Sequence, residues 1–336
     1  MLQVTHTSPA PLPLFSFADG EMGFISNTII RYLEKITGQP TVEKLYFDYV
    51  NDNLNPEYFW SDALDRLRIK LDVRQDISNG VLASIPSTGR VVAIANHPYG
   101  VIDGLALCSI MAEVRQDYKI ITHRVLRQAP AVMDKILPID FDETEAALKT
   151  NLESRRQALK HLKQGGAIII FPAGAISLSP NIVGAASDEP WKSFVAKLAM
   201  QPDTKTVPFY FEGRNSMLFQ TARKISLTLG YSLMFREICR RMGTRLVVSM
   251  RPNINSSELA KMANRNEVTE FLRRRTYNGN ETLKTLKAYH YETRSNVAIS
   301  GSPGWSLATQ TELNDLQEIA RDSSFSTDPI TYMAQY

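Results

Sequence analysis

The five consecutive apolar residues Val91-Val92-Ala93-Ile94-Ala95, with Ser87-Thr88-Gly89 before them and Asn96-His97-Pro98 after, restrict the fold more than any other stretch. A short apolar run without polar alternation fits a strand covered on both faces, as in a parallel sheet with helices above and below. Similar runs recur near residues 119–123, 137–141, 167–171, 207–211 and 246–250. Between them, apolar residues at helical spacing predict helices near 105–114, 144–163, 191–200 and 231–242. Gly165-Gly166 and Gly243 stand between a helix and the next strand, where a C-capping glycine belongs. Strands alternating with helices specify an α/β fold: a mixed, largely parallel sheet flanked by helices.

The two ends read differently. Met22, Ile25, Ile29, Leu33 and Ile36 form one apolar stripe of a helix that Gly38 and Pro40 stop, and further helices are expected near 41–50 and 60–69. The stripe reads as a core face, while Phe24, Phe47, Tyr58, Phe59 and Trp60 keep a membrane-facing role open. After residue 255, helices are expected near 256–263, 268–277 and 311–321, with a Ser/Gly/Pro-rich loop at 295–309. The expected organisation is an N-terminal helical segment (1–80), an α/β domain (81–255) and C-terminal helices and loops covering the core (256–336).

At 43% apolar and 22% charged residues the chain has the composition of a globular protein with a core, which excludes disorder. Cys108 and Cys239 cannot staple a chain of 336 residues and read as buried thiols in a reducing compartment. No apolar run approaches the ~18–20 residues that span a bilayer. The N-terminus lacks a basic region and is broken by prolines, unlike a signal peptide. A soluble or peripherally membrane-attached protein is expected. The net charge is only +3, but residues 151–275 carry 20 basic against 9 acidic side chains, whereas residues 1–89 carry 7 against 11. Such a segment suits an anionic ligand or surface.

Ligands of open α/β sheets collect at the carboxyl ends of strands, and two unusual polar segments stand there. Asn96-His97-Pro98-Tyr99-Gly100-Val101-Ile102-Asp103 follows the first strand, and Phe171-Pro172-Ala173-Gly174-Ala175-Ile176-Ser177 follows the strand near 167–170. A His and an Asp six positions apart, with Pro and Gly between, can meet across a loop that enters a helix. A carboxylate beside an imidazole fixes its tautomer and raises its basicity, as a general base acting on a hydroxyl requires. The spacing equally allows a capping Asp and a structural His.

Taken with VPFYFEGRNS farther on, the two segments resemble the NH…D, FPEG-type and VP boxes of the glycerolipid and lysophospholipid acyltransferase superfamily, in the same order. The likeness spans roughly residues 25–255. It is nearest to the bacterial hemolysin-like and lyso-ornithine-lipid acyltransferase-like subgroup, whose helical lead-in and basic helix resemble RYLEKITGQPTVEKLYFDYV and FREICRRMGTRLVVSMRP. The resemblance implies an O-acyltransferase of lipid metabolism, moving a fatty acyl chain from acyl-CoA or acyl carrier protein to a hydroxyl of a lysolipid acceptor. It implies His97 as general base oriented by Asp103. It assigns substrate binding to Asn96, Phe171, Pro172, Gly174, Pro208, Gly213 and Arg214, and to Arg124 from the family's second box. The family's Glu in the FPEG box is Ala173 here, so its part falls to Glu212 or is absent. Five residues separate His97 from Asp103 where the common box has four, a mark of the subgroup. No cofactor is implied beyond the thioester co-substrate.

The absence of GxSxG, GxGxxG, P-loop, HExxH and CxxC patterns leaves standard hydrolase, nucleotide and metal sites without a signature. The basic clusters at Arg155/Arg156/Lys160/Lys163, Arg236/Arg240/Arg241/Arg245 and Arg273–Arg275 lack interleaved aromatics, so anionic lipid heads or the donor's phosphate fit better than nucleic acid. The expected location is cytoplasmic, peripheral on the inner face of the cytoplasmic membrane. A non-catalytic lipid-binding or membrane-tethering protein, or an ester or thioester hydrolase, is the alternative.

Overall fold

The computed structural model describes residues 15–16, 24–52, 54–76, 84–141, 144–180, 184–278 and 286–290. Helices α1 (Phe24–Thr37), α2 (Gln39–Asn51) and α3 (Phe59–Arg66) lead into strand β1 (Lys70–Asp76). Strand β2 (Val91–Ala95) passes through a tight turn into α4 (Val101–Ala112), followed by β3 (Tyr118–His123), β4 (Ile136–Ile139) and α5 (Glu145–Lys163). Next come β5 (Ala167–Ile170), α6 (Phe194–Ala199), β6 (Lys205–Phe211), α7 (Met217–Ile225), α8 (Leu227–Ser232) and α9 (Met234–Arg241). Strands β7 (Arg245–Met250) and β8 (Ile254–Asn255), helices α10 (Ser256–Leu259) and α11 (Arg265–Asn278), and strand β9 (Leu286–His290) complete the described chain.

The sheet runs β4-β3-β5-β2-β6-β7-β1-β9, with β8 also paired to β6. From β4 to β6 all neighbours are parallel, as are β1 and β7. The β6–β7, β6–β8 and β1–β9 pairs are antiparallel. The mixed, largely parallel sheet expected from the sequence is therefore present.

Every residue of β2 is fully buried, and its side chains alternate between two cores. Val91, Ala93 and Ala95 pack with residues of α2, α3, α4, α7 and α9 on one face, including Trp60, Leu107, Phe219 and Phe235. Val92 and Ile94 pack on the other face with α5, α6 and α11, through Leu162, Val195 and Leu272. Burying a large apolar side chain contributes about 1.5–3 kcal/mol, which explains why five residues suffice to fix this strand at the centre.

Local signals set several boundaries. The Thr144 hydroxyl accepts the Ala147 N–H (3.1 Å) to start α5, and Gly165 (φ 90°) turns the chain into β5. Other elements differ from the sequence reading. The stretch near 231–242 is two helices, α8 and α9, separated at Leu233. The helix α7, capped by the Ser216 hydroxyl on the Phe219 N–H (3.2 Å), was not anticipated. Strands β1 and β9 fall where helices and loops were expected, and β8 adds a short strand at the end of the expected α/β segment. In α1 the buried face is Ile30, Leu33, Glu34 and Thr37, while Ile36 is 49% exposed, so the stripe is rotated from the one read in the sequence. Met22, the loop at 295–309 and the helix expected near 311–321 lie outside the described residues. Cys108 and Cys239 are buried and free, as expected; burial pushes the Cys239 thiol up to about 11.

Candidate active site

Strands β5, β2 and β6 are adjacent and parallel, so the segments after β5 and β2 and the VP segment of β6 meet at one end of the sheet. After β2, Asn96 is 2% exposed and uses its whole amide on one residue: it donates to the Phe211 carbonyl (2.9 Å) and accepts the Phe211 N–H (2.7 Å). It thus ties the His97 turn to β6 rather than presenting a free polar group. Gly100 (φ 71°) then reverses the chain into α4, packed so closely that a Cβ there would stand 2.9 Å from Ile176.

Asp103, in the first turn of α4, is fully buried. Its Oδ2 accepts the main-chain N–H groups of Tyr99 (2.7 Å) and Gly100 (3.0 Å), capping the helix where a negative charge is favoured. The same oxygen lies 3.2 Å from Nδ1 of His97. Both roles open to this Asp, cap and His partner, are thus filled by one atom. At this distance Nδ1 is not aligned for a full hydrogen bond. Burial raises the Asp103 carboxyl above the ordinary carboxylate range, and His97 and the two amides draw it partly back.

The His97 ring stacks on Phe171 with centroids 4.1 Å apart and planes at 28°. The ring is 19% exposed while Asp103 is closed off, so solvent reaches the pair only through the imidazole. The main chain is joined too: the Ser177 N–H donates to the His97 carbonyl (2.8 Å), linking the two polar turns. Pro172 is buried, and its carbonyl accepts the Lys192 N–H (2.9 Å). Gly174 (φ 72°) is exposed at the turn. Ala173 is 2% exposed among the apolar residues facing α6, a setting with no place for an unpaired carboxylate.

Pro208 is buried in β6 opposite Ile94 of β2. Gly213 (φ 109°) lies under the Tyr99 hydroxyl, which donates to the Glu212 carbonyl (3.1 Å). A Cβ at Gly213 would stand 1.8 Å from that hydroxyl, so only glycine fits there. The Glu212 carboxylate pairs with Arg74 of β1 (3.1 Å) and is 43% exposed. Arg214 donates to the Ser179 hydroxyl (3.2 Å) and the Gly184 carbonyl (2.8 Å). Arg124 begins the turn after β3 and pairs with Asp140 (3.2 Å). Asn215 is 2% exposed, and neither of its amide atoms has a partner among the described residues.

Three contributors gave no sequence signal of their own. Tyr99 is buried beneath the Arg241 guanidinium, 4.4 Å from its ring centroid, which brings the basic helix α9 to the site. Glu237, 1% exposed, accepts the Ser216 N–H (2.8 Å) and anchors the chain after the VP segment. Asp188 accepts the His97 main-chain N–H (3.2 Å). The three contacts just named join residues 21 to 142 positions apart, beyond any local pattern.

An apolar pocket opens beside α4, lined by Val101, Gly104, Leu105, Tyr46, Trp60 and Met234. Among the described residues no helix is long and apolar enough to cross a membrane.

The Acyltransferase family model matches residues 72–285. A lyso-glycine lipid O-acyltransferase of Phocaeicola vulgatus is 27% identical over 212 residues, covering 62% of this chain and 69% of that protein. A lyso-glycine lipid O-acyltransferase of Bacteroides thetaiotaomicron is 24% identical over 209 residues, covering 62% and 71%. The solved 1-acyl-sn-glycerophosphate acyltransferase PlsC of Thermotoga maritima aligns over 77% of this chain and 97% of its own, with TM-score 0.43 and 16% identity. With the family model matched across the strands that carry the His/Asp, FPAG and VP segments, this chain belongs to the acyltransferase family and is an acyltransferase.

Proposed function

We propose that the protein transfers a fatty acyl chain from the thioester of acyl-CoA or acyl carrier protein to a hydroxyl of a lysolipid acceptor, with His97 as general base and Asp103 orienting it. The observation that carries this reading is the 3.2 Å approach of His97 to a carboxylate sealed from solvent. With Nδ1 held by Asp103, Nε2 on the far edge of the ring takes the acceptor's hydroxyl proton. The oxygen attacks the thioester carbonyl, the C–S bond breaks, and the proton on the imidazole passes to the departing thiolate. Ester and free thiol are the products, and no further cofactor takes part.

The apolar pocket that starts on the first turns of α4, next to Asp103, suits the acyl chain. Arg214, Glu212 and Arg124, which follow strands of the same sheet, are the candidate contacts for the acceptor head. Both relatives are named for a lyso-glycine lipid, so an amino-acid-headed lysolipid is the first acceptor to assay. Peripheral attachment to the inner face of the cytoplasmic membrane is supported by Tyr32, Ile36, Phe47 and Val50 of α1 and α2, which stay 48–64% exposed although apolar.

The test is incubation with labelled acyl-CoA and acyl carrier protein across a lysolipid panel, following ester product by mass and thiol release. Acceptor-dependent ester formation is expected. Thiol release at the same rate without acceptor would make the protein a thioesterase and overturn the reading.

A further inference from the structure

We propose that Asp188 is a positioning residue of the acyl-transfer site, holding the main chain of His97 so that its ring meets substrate; this rests on His97 acting as general base. Asp188 is 4% exposed. Its Oδ1 accepts the His97 N–H (3.2 Å) and the Ser177 hydroxyl, while the Ser177 N–H donates back to the His97 carbonyl (2.8 Å). The three residues close a ring of hydrogen bonds that grips both the amide and the carbonyl of His97.

Asp188 is itself braced. Its Oδ2 accepts the Trp191 indole N–H (2.8 Å), its amide donates to the Tyr277 hydroxyl (2.7 Å), and its carbonyl accepts from Arg273 (3.0 Å). Tyr277 and Arg273 belong to α11, so the helix after the α/β core reaches the catalytic turn through this one residue. Among the described residues no Lys or Arg forms an ion pair with the Asp188 carboxylate; its donors are neutral. A buried carboxylate without a cation is a poor way to stabilise a fold. The two bonds to α11 use only the main chain of Asp188 and need no carboxylate. The charged acceptor strengthens the two bonds that fix His97, since bonds to an ionised acceptor are about twice as strong as neutral ones.

The consequence is a specific division of labour. Asp103 orients the ring of His97, and Asp188 fixes the main chain from which the ring hangs. Loss of the second restraint leaves the pocket and its substrates in place but lets the imidazole wander from the reacting hydroxyl.

The experiment is steady-state kinetics on Asp188→Ala, Asp188→Asn and Ser177→Ala, with His97→Ala alongside and Leu162→Ala of α5, buried at the opposite end of the sheet, as a control for lost stability. For Asp188→Ala a fall in kcat of about 10–100-fold is expected, in line with the cost of misplacing a reacting group by ~1 Å, with the KM of donor and acceptor unchanged. Asp188→Asn keeps an oxygen for the His97 N–H but not the charge, and recovers only part of that loss. Leu162→Ala lowers Tm and leaves kcat per folded enzyme at the wild-type value. Should Asp188→Ala not fold, Asp188→Asn and Ser177→Ala carry the test: each lowers kcat at constant KM, and their double variant loses less than the product of the two, because both act on one ring. Wild-type kcat in the Asp188 and Ser177 variants, or losses that simply track Tm as in Leu162→Ala, overturn the proposal. An inactive His97→Ala beside fully active Asp188 variants refutes this inference alone, whereas a fully active His97→Ala refutes the reading of His97 as well.

Discussion

Nδ1 of His97 lies 3.2 Å from Oδ2 of Asp103, and that oxygen also caps helix α4 through the N–H groups of Tyr99 and Gly100. One buried atom therefore stands both at the start of the helix and beside the imidazole.

Asp103→Asn separates the two tasks. Asn offers an oxygen to the same two N–H groups but no negative charge to the ring, so kcat is expected to fall by about 10²-fold or more. Burial raises the Asp103 carboxyl in the fold. A raised carboxylate favours the folded state while protonated, and that contribution is lost as pH climbs from the ordinary carboxylate value through the raised one. Asn does not titrate. Thermal melts should therefore show the variant at least as stable as wild type near neutral pH, with a flatter acid-to-neutral profile.

Phe171 supports the other side of the imidazole. Phe171→Ala is expected to cost about 3–5 kcal/mol of stability. Phe171→Leu restores most of the buried volume without the ring face. It should recover Tm in a thermal melt while kcat stays below wild type, since the stack that aligns His97 is absent.

Gly213→Ala combines a left-handed backbone (φ 109°) with a Cβ 1.8 Å from the Tyr99 hydroxyl. The strained backbone alone costs about 1–3 kcal/mol, and Tyr99 must also move from Glu212 and Arg241. Urea unfolding should show a loss beyond that range, and adding Tyr99→Phe should return part of it by removing the clashing oxygen.

Phe47 and Ile36 are about half exposed, at 50% and 49%. Replacing both by Ser should weaken sedimentation with anionic vesicles while lowering Tm only slightly, because half of each side chain lies outside the core and Phe47 meets it edge-on at Tyr46. Each apolar side chain inserted into lipid is worth up to about 1.5–3 kcal/mol.

The central sheet was legible because Val91–Ala95 needs no partner information to read as a strand buried on both faces. Once it is placed, the polar turns after β2 and β5 and the VP segment fall at one sheet end. What stayed hidden depends on distant partners. The Lys70–Asp76 strand carries Asp72 at zero exposure, a residue alien to strand interiors until Arg245, 173 positions on, pairs with it. Ile36 continued an apolar spacing, yet the buried face of α1 includes Glu34, held by Ser16 (2.7 Å). Asp188 sits in a polar stretch with nothing locally unusual, and only the fold brings it to His97 91 positions away.

The most direct measurement is single-turnover acyl transfer by His97→Ala beside wild type, with matched folding by circular dichroism. Loss of ester formation by about 10²–10⁴-fold is expected, the usual contribution of a positioned general base. Transfer at the wild-type rate in a folded His97→Ala protein would contradict it.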